Sequence, residues 1–179
     1  MKKLIITILF THVFAQNNSD TDYKMNSIID GMYEIVSWWD GKILYTPPAV
    51  SGRMVLYNGK IISVIHNRID SNNHKSAVKW GEGAVKDGKF RYQYSESINV
   101  ATNYKSPTVN NLLPFTGVRI FNAELIEGDV VLQTESKRQK WIISKKGMDY
   151  TDEAWGDEKI FVRRTWKRIT PLKEEILND

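Results

Sequence analysis

The 179-residue chain is 41% hydrophobic and 26% charged, which is ordinary for one globular domain. Its formal net charge of +4 comes without a run of basic residues among aromatics, so nucleic acid is not an expected partner. The absence of cysteine rules out disulfides, thiolate nucleophiles and cysteine-based zinc sites.

The N-terminus carries the pattern of an export signal. Lys2 and Lys3 give a positive start, residues 4–10 are almost wholly apolar, and the stretch ends in the small residue Ala15. This order resembles a bacterial secretory signal peptide cleaved after residue 15, and the apolar run is too short to span a bilayer. The alternative is a short buried strand or helix that opens the domain. We expect export to the periplasm or the medium, with residues 16–30 as a leader and no membrane span in the mature form.

Beyond a helical turn at residues 22–30, the chain shows the period-2 alternation that is typical of strands. Asn58-Gly59 and Asp87-Gly88 are turn sequences that tolerate positive φ angles, and each joins two strands as a tight hairpin. The alternation predicts nine strands, at residues 31–39, 53–57, 60–67, 78–86, 89–95, 118–126, 130–134, 140–144 and 159–169.

Consecutive hairpins without helices between them argue against parallel βαβ units. Closing the sheet on itself removes the exposed edges that a large open sheet must protect. The chain is therefore predicted to be all-β, a single antiparallel up-and-down barrel over residues 31–169. Thr170-Pro171 has the pattern of a helix start, which predicts a short C-terminal helix over residues 170–179. The longer loops at residues 45–52 and 104–116 are candidates for the mouth of the barrel.

Four segments, in this order and spacing, resemble bacterial and fungal lipocalin-like domain proteins, which are calycin-type barrels. Residues 31–39 carry a Gly-x-aromatic-x-aliphatic-x-Ser pattern, and residues 52–63 carry a Gly-x-aliphatic-x-x-Tyr pattern followed by a turn, Gly and Ser. Residues 118–132 are similar to the family's arginine-bearing strand with an acidic-Gly-Asp turn. Residues 163–168 are similar to a closing strand that is rich in Arg around a Trp.

The resemblance implies a cup-shaped barrel and an apolar ligand. It also implies that Tyr33 packs near the closed end under an arginine of the last strand, either Arg164 or Arg168, in a cation–π contact. The chain departs from the family pattern in the strand after the second hairpin turn, where Tyr92 or Tyr94 stands in place of an expected His. A family function that depends on that His is therefore not carried over.

If Tyr33 points inward, alternation sends Ile35, Ser37 and Trp39 inward and Trp38 outward. Aromatic and aliphatic positions on the inward faces would then line a cavity that suits a flat or apolar molecule, with a few polar anchors. The alternative is that these side chains simply fill the core. The predicted cavity residues are Tyr33, Ile35, Trp39, Met54, Leu56, His66, Tyr92, Tyr94, Arg119, Trp141 and Arg164.

No residues have a recognisable catalytic or metal-binding spacing. His66 and His74 are the only histidines beyond residue 15 and lack the spacing of a metal site, so neither a metal nor another cofactor is expected. A Gly-x-Ser-x-Gly turn and a phosphate-binding Gly-rich loop are both missing from the sequence. The acidic pair Asp152/Glu153 falls at a predicted turn and is interpreted as solvated.

The leading hypothesis is non-catalytic binding of a small apolar or amphipathic molecule, with Arg119 or His66 as a polar anchor. The first alternative is an isomerase or cyclase in the same cavity, with His66, Tyr92 and Glu82 as candidates. Two or more convergent polar groups deep in the cavity would favour that alternative, and a dry interior would not. The second alternative is an envelope interaction module that works through loops such as residues 104–116. The sequence leaves the ligand, the oligomeric state and the presence of any catalysis open.

Overall fold

The described part of the chain forms one helix followed by twelve β-strands. The computed structural model describes residues 19–103 and 107–169. Helix α1 covers residues 19–29. The strands are β1 (Gly31–Trp39), β2 (Leu44–Tyr45), β3 (Val50–Tyr57), β4 (Lys60–Asn67), β5 (Asn73–Lys86), β6 (Lys89–Asn103), β7 (Pro107–Asn110), β8 (Arg119–Ile126), β9 (Asp129–Gln133), β10 (Gln139–Ile143), β11 (Gly147–Trp155) and β12 (Ile160–Arg168).

Ten of these strands close into one antiparallel barrel. Each barrel strand pairs with the next one along the chain, in the order β1, β3, β4, β5, β6, β8, β9, β10, β11 and β12. The last strand then returns to pair with β1, which places Tyr33 beside Arg168 and Trp39 beside Arg163. The short strands β2 and β7 extend the sheet beside β1 and β6. The predicted all-β antiparallel barrel is confirmed, with its first and last segments side by side.

The prediction of nine strands is wrong, chiefly because it omits β11. That strand has polar residues on both faces: Asp152 is buried on the inner face, and Asp149 and Glu153 lie on the outer face. Polar residues on both faces weaken the apolar–polar alternation from which a strand is predicted. The short strands β2 and β7 are also absent from the prediction, and β5 and β6 extend beyond their predicted ends, to Asn73 and Asn103 respectively.

Two hairpin turns have the backbone conformation that their sequences predict. The φ angles are 49° and 75° at Asn58-Gly59, and 53° and 67° at Asp87-Gly88. Both positions of each turn therefore lie in the left-handed region that a two-residue type I′ turn requires. The predicted β3–β4 and β5–β6 hairpins are confirmed, since the strands pair directly across these turns.

A β-bulge in β1 reverses the facing of the second half of the strand. The pairing of β1 with β12 skips Val36, so the alternation shifts by one residue beyond this point. As a result Trp38 faces the interior, where Arg164 lies over its ring. Ser37 and Trp39 instead line a groove on the outer surface. The inward facing predicted for Ser37 and Trp39 is therefore wrong, because simple alternation does not anticipate an inserted residue.

Helix α1 closes one end of the barrel. Met25, Ile28 and Ile29 are buried on the face of the helix that joins the barrel core. At its start, the Asp22 carboxylate accepts hydrogen bonds from both backbone N–H groups of the Asp87-Gly88 turn. The predicted helical turn at residues 22–30 is thus part of a longer helix that lies across the barrel end formed by the hairpin turns.

Two predicted terminal elements, the signal peptide at residues 1–15 and the C-terminal helix at residues 170–179, lie outside the described residues. The helix that the structure does describe stands on the N-terminal side of the barrel. Within the two described ranges, no helix is long and apolar enough to cross a membrane.

Arg168 ties the last strand to α1 at the closed end. Its guanidinium carbon lies 4.7 Å from the centre of the Tyr33 ring, and the same group donates hydrogen bonds to the Tyr33 hydroxyl and to the carbonyls of Ile28 and Asp30. The Tyr33 hydroxyl donates to one more helix carbonyl, at 2.7 Å. Terminal helix carbonyls lack partners within the helix, so these bonds satisfy them and place a positive charge at the negative end of the helix dipole. Of the two predicted arginines, Arg168 covers Tyr33, and Arg164 lies elsewhere.

Replacing Asn26 with alanine is expected to lower the free energy of unfolding by about 1–2 kcal/mol. The Asn26 side chain donates to the Val85 carbonyl and accepts from the Val85 N–H, both at 2.8 Å, so the substitution leaves two part-buried backbone groups without partners. Urea unfolding followed by tryptophan fluorescence would measure the change. Ser27→Ala is the matched control, because the Ser27 hydroxyl bonds only the Lys24 carbonyl at the surface. Equal effects of the two substitutions would contradict this role of Asn26.

Candidate functional site

The barrel contains an inner chamber that adjoins a wider vestibule. The inner chamber has a volume of about 130 Å³, and the vestibule has a volume of about 590 Å³. Five residues line both spaces, namely Ile65, Lys79, Pro114, Trp155 and Arg164. The rest of the inner chamber is lined by Met54, Ser63, Tyr92, Tyr94, Phe115, Arg119, Trp141, Tyr150 and Trp166.

The vestibule lies at the end of the barrel opposite α1. Its walls come from Trp38 on β1, from the end of β4 with the first half of β5, from the last part of β6, and from the loop residues Leu112 and Leu113. These segments are far along their strands from the hairpin turns that α1 covers. The interior is therefore closed on one side by the helix and bordered on the other by the vestibule.

Aromatic rings form most of the wall of the inner chamber. Tyr92 is central, with its ring centre 5.8 Å from that of Tyr94, 5.5 Å from that of Phe115 and 6.5 Å from that of Trp141. Trp141 packs in turn against Tyr150, with the ring centres 4.9 Å apart. Most of these pairs meet edge to face or tilted, as the charge distribution of aromatic rings favours. The buried aromatic cluster is thus a continuous surface that offers ring edges and faces to the chamber.

Arg164 projects into the interior between two indole rings. Its guanidinium carbon lies 3.9 Å from the centre of the Trp38 ring and 4.6 Å from that of Trp155. Within residues 19–103 and 107–169, no carboxylate forms an ion pair with Arg164, and its Nε has no acceptor. Burial lowers the pKa of Arg164 from its usual value, although an arginine keeps its charge at any physiological pH. The side chain is therefore a charge held by ring faces alone.

Two further cations line the chamber. The guanidinium carbon of Arg119 lies 4.0 Å from the centre of the Phe115 ring, and its Nη1 donates to Gln139 Oε1 at 3.3 Å. Lys79 reaches in from β5, with Nζ 5.9 Å from the centre of the Tyr94 ring. Burial, together with the charge of Arg164, lowers the pKa of the Lys79 amine. Positive charge is thus concentrated where the chamber meets the vestibule.

Three tyrosines in the chamber wall keep their protons at neutral pH. Burial raises the pKa of Tyr92, Tyr94 and Tyr150 above the usual value. For Tyr150 the negative charge of Asp152 adds to the effect of burial. The phenol groups are therefore hydrogen-bond donors at neutral pH, and they are poor bases there.

Asp152 is a wholly buried carboxylate beside the chamber wall. It accepts hydrogen bonds from Arg138 Nε at 2.8 Å, from Gln139 Nε2 at 2.7 Å and from the Tyr150 hydroxyl at 3.2 Å. Burial alone would raise the pKa of Asp152, but the bonds from Arg138, Gln139 and the Ala154 backbone outweigh it and hold the pKa below its usual value. The interpretation of Asp152 as a solvated turn residue is therefore wrong, and the error follows from the omission of β11.

The structure brings six of the predicted cavity residues together in the inner chamber. Tyr33, Ile35 and Leu56 are also buried, but they belong to the core around α1 and do not line the chamber. The six that line the chamber are Met54, Tyr92, Tyr94, Arg119, Trp141 and Arg164.

Three other candidates lie outside the barrel interior. Trp39 lies in the outer groove beyond the β1 bulge. His66 lies on the outer face of β4, with Nδ1 2.8 Å from the Ser76 hydroxyl. Glu82 is exposed and forms an ion pair with Lys60 at 2.7 Å. Of the three residues considered for isomerase chemistry, only Tyr92 borders the chamber.

Sequence reasoning missed several residues that border the interior, and five of them illustrate why. Lys79 was within reach of the alternation rule, since it lies an even number of residues before the buried Val85 on β5. Trp38 was hidden by the bulge in β1, and Tyr150 and Trp155 belong to the unpredicted β11. The fifth, Phe115, comes from an irregular loop in which no periodicity marks the inward side chain.

Comparison of the chain with known protein families, with curated proteins and with solved structures found no match. In the described part of the chain, no three or more His, Asp or Glu side chains lie close enough together to hold a metal ion. The functional argument therefore depends on the shape and charge of the chamber and the vestibule.

Proposed function

We propose that the protein is an exported, lipocalin-like binding protein whose barrel holds a small apolar or amphipathic molecule. The observation that carries the proposal is the aromatic-walled chamber, which lies in a barrel that α1 closes at one end and which adjoins the vestibule. Ligand sites in proteins are typically concave and apolar, with a few placed polar groups. Tyr92, Phe115 and Trp141 supply apolar wall here, and Arg119 and Arg164 supply the polar groups.

The volumes of the inner chamber and the vestibule limit how much of a ligand each space can hold. The inner chamber, at about 130 Å³, is smaller than the roughly 300–1,000 Å³ of common ligand pockets, and the vestibule, at about 590 Å³, lies within that range. We infer that a narrow part of the ligand enters the chamber and that the larger part occupies the vestibule, against Leu112, Leu113 and Pro114.

The lipocalin-like part of the proposal is supported by the closed antiparallel meander and by the arginine that covers Tyr33 at the closed end. The export part is supported by the signal-peptide pattern of residues 1–15. A mature chain starting at residue 16 would retain all of α1, so cleavage there is compatible with a closed barrel end.

Native mass spectrometry of protein purified from its source tests both parts. We expect the denatured mass to equal that of residues 16–179, and the native mass to exceed it by the mass of one small molecule. A full-length denatured mass would contradict export with cleavage. A native mass without any adduct, together with failure to bind apolar dyes, would contradict ligand binding.

A specific observation also favours a second candidate, an isomerase or cyclase that acts in the chamber. Tyr92 and Tyr94 present phenol groups beside Arg164 and Lys79, so several polar groups converge on one small volume. Such groups can hold a reactive molecule in one conformation and thereby favour one product. Small molecules extracted from the purified protein would be returned to a large excess over fresh protein and followed by chromatography. Conversion to an isomer of equal mass supports catalysis, and recovery without change supports simple binding.

A further inference from the structure

The chamber and the vestibule carry positive charge without compensating negative charge. Lys75, Lys79, Arg119 and Arg164 belong to their walls. Among the described residues that line either space there is no Asp or Glu. The nearby carboxylate of Asp152 is already engaged by Arg138 at 2.8 Å.

Arg164 is the most exceptional of these cations. Buried charges in proteins are normally paired, because a charge without a partner loses its hydration and gains nothing in return. The other interior guanidinium groups have oxygen acceptors: Arg168 has a hydroxyl and two carbonyls, and Arg119 has Gln139. In the ranges that the structure describes, the guanidinium of Arg164 has only aromatic rings as partners, namely Trp38, Trp155 and, at 5.7 Å, Tyr150.

We infer that the ligand is an amphipathic organic anion whose carboxylate, or an equivalent oxyanion, binds Arg164 where the chamber meets the vestibule. This inference rests on the proposed binding function and names the ligand class for the same site. A guanidinium group matches a carboxylate through paired hydrogen bonds, and the indole rings that flank Arg164 hold it in a fixed orientation. Lys79 lines the same junction and adds a second positive charge.

Donor groups in the chamber wall fit the same class of ligand. The Nε1 of Trp141 has no acceptor in the described part of the chain, and Tyr92 and Tyr94 keep their phenol protons. A chamber wall rich in donors binds oxygen acceptors, and the positive charges of Lys79, Arg119 and Arg164 repel a cationic ligand. The apolar part of the ligand then packs on the ring faces of Phe115 and Tyr92.

The test compares two dyes that share one ring system. Anilinonaphthalenesulfonate carries an anionic group, and N-phenylnaphthylamine is its neutral counterpart. Both are titrated by fluorescence into the wild-type protein and into Arg164→Met, Lys79→Met and Arg163→Met. Arg163 is the matched control, because it is the neighbour of Arg164 on β12 but lies on the outer face and pairs with Asp149.

We expect Arg164→Met to weaken binding of the anionic dye by about tenfold or more, and binding of the neutral dye by less than about twofold. Lys79→Met should act in the same direction more weakly, and Arg163→Met should leave both affinities unchanged. Unchanged affinity for the neutral dye also shows that a variant is folded. If Arg164→Met does not fold, the affinities of Lys79→Met for the two dyes test the inference instead. A weaker affinity for the anionic dye alone supports the inference, and an equal change for both dyes overturns it.

The outcomes separate the two levels of the proposal. If the wild-type protein binds both dyes and the interior substitutions weaken both equally, the anion inference is overturned and the binding function stands. If the wild-type protein binds only the neutral dye, the anion inference is likewise overturned and the binding function stands. If neither dye binds, the proposed binding function fails, and the anion inference fails with it.

Discussion

Replacing Asp152 with alanine is expected to lower the free energy of unfolding by about 3–5 kcal/mol. The substitution removes the acceptor for Arg138, Gln139 and Tyr150 together, at a site where the carboxylate is 0% exposed. Buried donors that lose their acceptor in this way keep the full cost of their lost hydration. The midpoint and slope of urea unfolding would measure the change.

Asp149→Ala is the matched control, since Asp149 lies on the outer face of the same strand. Its ion pair with Arg163, at 2.8 Å, is part-exposed, and such pairs contribute at most about 1 kcal/mol. An effect of Asp152→Ala no larger than that of Asp149→Ala would contradict the role assigned to the buried network.

The Asp152 network also predicts how stability depends on pH. The pKa of Asp152 is lower in the folded than in the unfolded protein, so at acid pH the unfolded state binds more protons. The stabilisation that ionised Asp152 provides is therefore complete above its pKa in the unfolded protein, roughly 4. It is lost as the pH falls through the pKa of Asp152 in the folded protein. Unfolding free energies measured from neutral to acid pH should fall less steeply in Asp152→Asn than in the wild-type protein. Parallel profiles would contradict the assignment.

Replacing Arg168 with methionine is the second substitution with a large expected effect, a loss of about 3 kcal/mol in the free energy of unfolding. The guanidinium joins β12 to the carbonyl end of α1 and covers the Tyr33 ring, so its removal leaves helix carbonyls and the Tyr33 hydroxyl without that donor. Hydrogen exchange should show the loss first in residues 19–29, because the helix is the element that Arg168 secures.

Arg163→Met again supplies the control, since it removes an arginine of the same strand that faces outward. It should cost less than about 1 kcal/mol and leave exchange in α1 unchanged. Equal protection of α1 in Arg168→Met and in the wild-type protein would show that the helix is held by its apolar face alone.

The barrel could be predicted because its strongest signals are local. Asn58-Gly59 and Asp87-Gly88 specify tight hairpins by backbone conformation alone, and Tyr92 and Tyr94 lie on the inward face that alternation assigns to them. The pairing of β1 with β12 followed from the need to leave no open edge. Chain neighbours and simple periodicity were sufficient for these features.

The site was less predictable because its key residues depend on irregular features. Trp38 faces inward only because one residue is inserted in β1, and no local pattern marks that insertion. Asp152 and Tyr150 reach the interior on β11. Because Asp152 lies on the inner face of this strand, β11 lacks the usual alternation of apolar inner and polar outer residues. That Arg164 has no acidic partner among the described residues is a property of the assembled interior, so it cannot be predicted from spacing along the chain.

The pairing of β1 with β12 determines when the barrel can close as the chain is synthesised. The hydrogen bond that joins Tyr33 to Arg168 links positions 135 residues apart, so the ring of strands is incomplete until β12 has been made. A growing chain that lacks Ile160–Arg168 has two unpaired sheet edges, which are sites for association with other chains. The barrel can therefore close only after β12 has been made, and the solubility of the newly made chain depends on that step.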